Sequence, residues 1–248
     1  MKTISSNKSL IKWRQNINGS NISREDELIL KDNYLNVFMQ LQKFAEAKDP
    51  KTDFINAWHK ICNDECKAVE TKLASKCSDI SSIERVVNKF RGNAGEIMAE
   101  KTFELFGTNW DIFPGSYDTV DPHHEMFIDA QALHIQDRLP IGIQVKNYAV
   151  HSKTHRNPVK WETFIKSMAM STYWCADIKT VPIGKKDQFF SVPRQYIFSF
   201  TPPDFAKLTE DFHGSVRFIG PDELERKLDL KHKSYVFSQI IEEISVII

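Results

Sequence analysis

The chain has 248 residues, 41% of them hydrophobic and 27% charged, with Lys+Arg and Asp+Glu balanced at 33 each. That length suits one large domain or two small ones, and the balance excludes a chain-wide basic field, so any surface for nucleic acid has to be local. No apolar run approaches the roughly 20 residues of a membrane-spanning helix. The opening M-K-T-I-S-S-N-K lacks the apolar stretch of a signal peptide, so a cytoplasmic location is the expectation.

Residues 1–20 are polar and rich in Ser, Asn and Lys, which reads as a mobile arm or a short helix. Asn21-Ile22-Ser23-Arg24-Glu25-Asp26 looks like a helix start, with Ser23 as N-cap and Asp26 as its capping-box partner. The helix is expected to turn Leu28, Leu30, Tyr34, Val37, Phe38, Leu41 and Phe44 inward and to end near Asp49-Pro50. A second helix is predicted from Asp53 to about Ser75, with Phe54, Trp58, Ile61, Val69 and Leu73 inward. Ser81-Ser82-Ile83-Glu84 caps a third. The cysteines are Cys62, Cys66, Cys77 and Cys175. His59, Cys62, Cys66 and Cys77 make a ligand set on paper, but H-x(2)-C-x(3)-C-x(10)-C is not a zinc spacing and the segment reads as helix, which favours buried or idle thiols. Residues 1–85 are thus a mainly helical N-terminal region, either a separate module or an extension packed on the rest of the chain.

Gly92-Asn93-Ala94-Gly95-Glu96 opens a further periodic run, with Ile97, Met98, Phe103, Leu105 and Phe106 on one stripe and Gly107 as its stop. Glu96 and Glu100 stand one turn apart on nearly the same face. From Trp110 to Glu125, Pro114-Gly115 and Asp121-Pro122 mark turns, and Asp118, Asp121 and Glu125 add acid. His123 and His124 are adjacent, would point to opposite faces of a strand, and read as loop residues. Glu125 to Tyr148 then reads as two strands joined by a polar turn. The first is roughly Met126 to Ile135, and Gln136-Asp137-Arg138 makes the turn. Pro140 starts the second, where its missing N–H does least harm. Period-two geometry sets Gln144 and Lys146 on one face, with Asp129 on the neighbouring strand. A carboxylate, a carboxamide and an ammonium together suit phosphate chemistry: Mg²⁺ takes hard oxygen ligands and keeps several waters, and a lysine beside it orients water and offsets developing charge.

After Tyr148 the chain turns basic, with Lys153, His155, Arg156 and Lys160 just beyond the second strand. Trp161, Phe164, Ile165 and Met168 read as a core helix. Further strands are expected at Ile178–Ile183, Phe189–Val192, Arg194–Phe200 and Ser215–Ile219, with a short helix from Pro202-Pro203-Asp204. Gly220-Pro221-Asp222-Glu223-Leu224 opens a helix with proline and acids in its first turn. Tyr235 to Ile248 is a final helix or strand, and an exposed version would offer a dimer surface.

Asp129-x(14)-Gln144-x-Lys146 resembles the motif of the PD-(D/E)xK nuclease superfamily, in the variant with glutamine before the lysine that is typical of Mrr-like restriction endonucleases. The resemblance covers about Val87 to Leu230, and G-P-D-E-L after a late strand is similar to the end of Mrr-like domains, where it is structural. It implies an α/β, restriction-endonuclease-like fold, a mixed central sheet flanked by helices over residues 86–248, preceded by the helical region 1–85. It implies a Mg²⁺-dependent DNA endonuclease, with Mn²⁺ able to substitute, serving restriction or phage defence; repair or recombination is a close relative. Asp129 would bind the metal directly, Gln144 through its side-chain oxygen, and the Val145 carbonyl as an additional ligand. Lys146 would position the attacking water, and Glu96, or else Glu100, would supply the helix acid. Glu125 stands where the family often carries another acid. Lys153, His155, Arg156 and Lys160 would clamp phosphates of double-stranded DNA. A homodimer is left open. A catalytically silent module that binds DNA or a protein is the competing expectation, because glutamine removes one negative charge from the site.

Overall fold

A computed structural model describes residues 24–47, 54–76, 79–103, 110–114, 130–134, 140–149, 194–202, 216–227 and 230–246. Among the described residues three helices come first: α1 (Arg24–Glu46), α2 (Phe54–Ala74) and α3 (Ile80–Phe103). Five described strands follow, β1 (Trp110–Pro114), β2 (Ala130–His134), β3 (Pro140–Lys146), β4 (Arg194–Ser199) and β5 (Val216–Ile219), and then α4 (Pro221–Lys227) and α5 (Leu230–Val246). The protein is a mixed helix-and-sheet fold with a helical N-terminal region.

On α1, Leu30, Tyr34, Val37, Phe38 and Leu41 are buried at helical spacing. Leu28, expected inward, is 54% exposed; two residues before Leu30, it stands about 200° round the helix from it. On α2, Phe54, Trp58, Ile61, Val69 and Leu73 are all buried, as their spacing requires. The amino end of α2 is met by Glu225 of α4, whose Oε2 accepts from the Ile55 N–H at 3.1 Å, an anion placed at a positive helix end.

The third helix differs from expectation. Instead of one helix capped at Ser81 and another opening at Gly92, α3 runs unbroken from Ile80 to Phe103. Its cap is Asp79. The Asp79 carbonyl accepts from the Ile83 N–H at 3.2 Å, and its carboxylate accepts from the Ser82 hydroxyl and, at 3.1 Å, from the Ser81 N–H. Those bonds from Ser82 and Ser81 hold the Asp79 carboxyl below its ordinary range. The junction expected at residues 85 and 86 falls inside this helix.

The strands form one sheet in the order β1-β2-β3-β4-β5. Antiparallel pairing joins β1 to β2 and β2 to β3, and parallel pairing joins β3 to β4 and β4 to β5. Only β2 therefore runs against the rest. Pro140 does begin the second hairpin strand, opposite Leu133. Strand β1 was not expected; Pro114, read as a turn residue, closes it. The expected strands at 178–183 and 189–192, the helix around Trp161 and the one after Pro202 lie outside the described residues, as do Ser23, Leu105, Phe106 and Gly107.

One apolar cluster joins the helices to β3, β4 and β5. Ile143 and Val145 of β3, Phe198 of β4 and Ile219 of β5 pack with Phe90, Ala94, Ile97 and Met98 of α3 and with side chains of α1, α2, α4 and α5. The C-terminal stretch left open between helix and strand is helix α5. Its Val236, Phe237, Ile240 and Ile244 are buried, Phe237 lies against Phe54 with ring centroids 6.0 Å apart, and Glu243 pairs with Lys101 of α3 at 2.5 Å. These four apolar side chains of α5 are thus turned inward. Among the described residues no helix is long and apolar enough to cross a membrane.

Candidate functional site

The registers define one end of the sheet. Pro114 stands opposite Ala130, Ala130 opposite Ile143, Lys146 beside Ser199 and Phe198 beside Ile219. The carboxyl ends of β1, β3, β4 and β5 and the amino end of β2 therefore meet at the same edge, where open α/β sheets present their binding crevices. Next along the chain from the pair Ala130–Ile143 come Asp129 and Gln144. Asp129 itself lies outside the described residues, as do Asp118, Asp121, His123, His124, Glu125, Lys153, His155, Arg156 and Lys160.

Because Ile143 and Val145 face the helical core, Gln144 and Lys146 project to the other face of β3. Gln144 is only 5% exposed, and Ile197, its partner on β4, is fully buried as well. Lys146 is half-buried. The Gln144 Nε2 stands 3.5 Å from the Val145 carbonyl oxygen, at the limit of a hydrogen bond. The oxygen and nitrogen of a carboxamide are distinguished only by their surroundings; turned over, the same amide sets its Oε1 beside the Val145 carbonyl, two hard oxygens at one spot.

Directly after Lys146, Asn147 is the polar hub of this end. The Trp58 indole N–H of α2 donates to its Oδ1 at 3.0 Å, and its Nδ2 donates to the Arg91 carbonyl of α3 at 2.9 Å. A Cβ built on Gly95 would lie 2.6 Å from the Asn147 Cβ, so glycine is what lets helix and strand end approach this closely. Beside it, His59 Nε2 donates to the Phe200 carbonyl at 2.6 Å, the Phe200 N–H donates to the Lys146 carbonyl at 3.1 Å, and the Trp58 and Phe200 rings stack with centroids 4.6 Å apart. On either side of Phe200 the Ser199 hydroxyl and the Thr201 carbonyl bond at 2.7 Å, the hydroxyl donating, which fixes the chain leaving β4.

Glu96, expected as the helix acid, lies next to the Gly95–Asn147 contact. Glu96 follows Gly95 and is half-buried; α3 packs on the Ile143–Val145 face, so its turn meets the site at the end of β3 rather than across the Gln144–Lys146 face. The Glu100 side chain lies outside the described residues.

The cysteines of α2 belong to the core. Burial pushes the Cys62 thiol up to about 12, against a lowering by the Arg91 guanidinium, and burial raises Cys66 too. A thiol that keeps its proton is a poor ligand and a poor nucleophile. Cys77 lies outside the described residues, and among those described no three His, Cys, Asp or Glu side chains gather into a metal-holding group.

Sequence reasoning passed over Asn147, Trp58 and His59 as polar partners. The signals were present: a buried indole needs an acceptor, and an asparagine directly follows the strand that ends in lysine. No family model, no curated protein and no solved structure matches the chain.

Proposed function

We propose that the protein is a metal-dependent DNA endonuclease with a PD-(D/E)xK-type site of the glutamine variant, acting in restriction or defence against phage. The observation that carries this reading is the meeting of α3 and β3 at one end of the sheet. Gly95, next to Glu96, touches Asn147, next to Lys146, and the hairpin register runs from Ala130–Ile143 toward Asp129 and Gln144. A helix acid, Asp129 just ahead of β2 in the chain, Gln144 and Lys146 on β3, and a late parallel strand followed by G-P-D-E-L occur in the order that the resemblance calls for.

The donor set suits a small divalent cation. Mg²⁺, held by Asp129, the Gln144 carboxamide oxygen and the Val145 carbonyl, would supply positive charge at the phosphate and acidify bound water. The Lys146 ammonium would hold the attacking water in line and offset the charge of the pentavalent state. Glu96 would act through water or a second metal. Lys153, His155, Arg156 and Lys160 would take the phosphates of double-stranded DNA, a contribution that weakens with salt.

The second reading, a catalytically silent nuclease fold that binds DNA or a protein, is favoured by one feature: Gln144 is neutral and closed in on the sheet. Cleavage of supercoiled and linear DNA, methylated and unmethylated, with Mg²⁺ or Mn²⁺ separates the two. Wild type should cut, and Lys146→Ala and Asp129→Ala should lose at least about 10²-fold, the usual effect of removing one group that stabilises a transition state. Binding of DNA without cleavage in either metal would leave the silent module standing.

A further inference from the structure

We infer that Asn147 is a positioning residue for the Lys146 end of β3, and that α2 of the N-terminal region, through Trp58 and His59, braces the site. The catalytic half of this inference rests on the proposed role of Lys146 in holding water. Asn147 is 7% exposed and spends both sides of its amide on different helices: Oδ1 on Trp58 of α2, Nδ2 on the Arg91 carbonyl of α3. That carbonyl belongs to the turn whose helical partner is the Gly95 amide, so the same turn that offers Glu96 is pinned to the residue after Lys146. His59 closes the second half of the brace. It bonds the Phe200 carbonyl, and Phe200 in turn bonds the Lys146 carbonyl. The ends of β3 and β4 are thereby tied to one helix turn, Trp58-His59. A lysine that must hold a water in line tolerates little displacement, since a shift of about 1 Å can cost on the order of 10²-fold in rate. A carboxamide fits this task because it donates and accepts at once from a short stem. Aspartate would set a carboxylate against the Arg91 carbonyl, and glutamine would carry the amide one carbon past the place where its two partners meet it.

The test compares wild type with Asn147→Ala, Trp58→Phe and a stability control, Ile244→Ala, which empties a buried position on α5 far along the chain from the strand end. Cleavage is followed as kcat and KM in Mg²⁺, DNA affinity is measured in Ca²⁺, and hydrogen exchange reports the Phe200 amide. Expected results are a kcat lowered at least about tenfold in Asn147→Ala and less in Trp58→Phe, with KM and DNA affinity within about threefold of wild type. Phe200 exchange should be faster than in Ile244→Ala, and Ile244→Ala should keep its kcat. A kcat in Asn147→Ala equal to that of Ile244→Ala overturns the positioning role. Phe200 exchange no faster than in Ile244→Ala overturns the brace, whether or not the protein cuts DNA. A wild type that cuts no substrate, with Phe200 exchange still accelerated in Asn147→Ala, overturns the nuclease reading and the positioning role with it and leaves the brace as a purely structural device.

Discussion

Two glycines three residues apart on α3 have opposite reasons to be there, and substitution separates them. A Cβ at Gly92 would meet nothing within 4 Å, while one at Gly95 would fall 2.6 Å from the Asn147 Cβ, a backbone-near atom that cannot swing away. Alanine in a helix interior is favoured over glycine by about 1 kcal/mol. Gly92→Ala is therefore expected to stabilise the protein by about 0.5–1 kcal/mol. Gly95→Ala should instead cost about 1–3 kcal/mol, because overpacking a tight contact outweighs the propensity gain. Urea denaturation of the two variants measures both. Adding Asn147→Gly, which removes the offending Cβ, to Gly95→Ala should recover part of the loss, as expected for residues in direct contact. A stabilised Gly95→Ala would remove the close approach on which the placing of Glu96 depends. This contact also marks where sequence reading stopped. Gly92 and Gly95 were legible as punctuation, hence the helix opening expected there; that Gly95 is small for the sake of Asn147, a residue far along the chain, is a tertiary fact with no local signature.

At the scale of elements, legibility followed periodicity. The inward faces of α1 and α2, the start of β3 at Pro140, and β4 and β5 were readable because their apolar spacing decides their burial. The cap of α3 was missed by two residues because Ser81 and Ser82 look like caps, while Asp79 uses both as donors. Of the site, Gln144 and Lys146 were placed on one face by alternation alone; the helices that fix the strand end were not, because their links are single polar contacts. The α1–α2 packing contains one such contact that titrates. Glu65 of α2 is 8% exposed and its Oε1 accepts from Gln40 Nε2 of α1 at 2.7 Å. Burial raises its carboxyl above the ordinary value of 4.5, against lowering by the bonds from Asn36 and Gln40. The folded state thus holds the proton more tightly than the unfolded chain. Its stabilising contribution is fully present below pH 4.5 and is lost as pH rises through the raised folded value. Glu65→Gln keeps the acceptor for Gln40 and abolishes the charge. The variant should melt higher than wild type at about pH 7 to 8, with the gap narrowing toward about pH 4. Melting curves that run parallel across that range would show that Glu65 does not titrate with folding.

At the scale of the whole molecule, the N-terminal helices and the sheet share their interior. The cluster that contains Ile143, Val145 and Phe198 also contains Tyr34, Phe38, Trp58 and Leu73. The last helix closes back on the first ones: Gln42 Nε2 of α1 donates to the Ser238 hydroxyl of α5 at 3.1 Å, and Phe237 lies against Phe54. A chain built this way should unfold as one unit. Urea transitions followed by far-ultraviolet circular dichroism and by tryptophan fluorescence are expected to coincide, the mark of two-state behaviour. Residues 86–248 expressed alone should fail to fold, because the cut falls within α3 and removes all of α1 and α2 from the core. Truncating a single large core side chain costs about 2–5 kcal/mol, and Tyr34, Phe38, Phe54 and Trp58, each fully buried, would be lost together, against a total stability of about 5–15 kcal/mol. Two separated transitions, or a cooperatively folded 86–248 fragment, would show instead that the helical region is a detachable module. The outcome bears on the site as well. If α2 is part of the core, Trp58 and His59 are always present at the ends of β3 and β4, and the lysine at that end is held by the fold itself, with no separate docking step needed to set it.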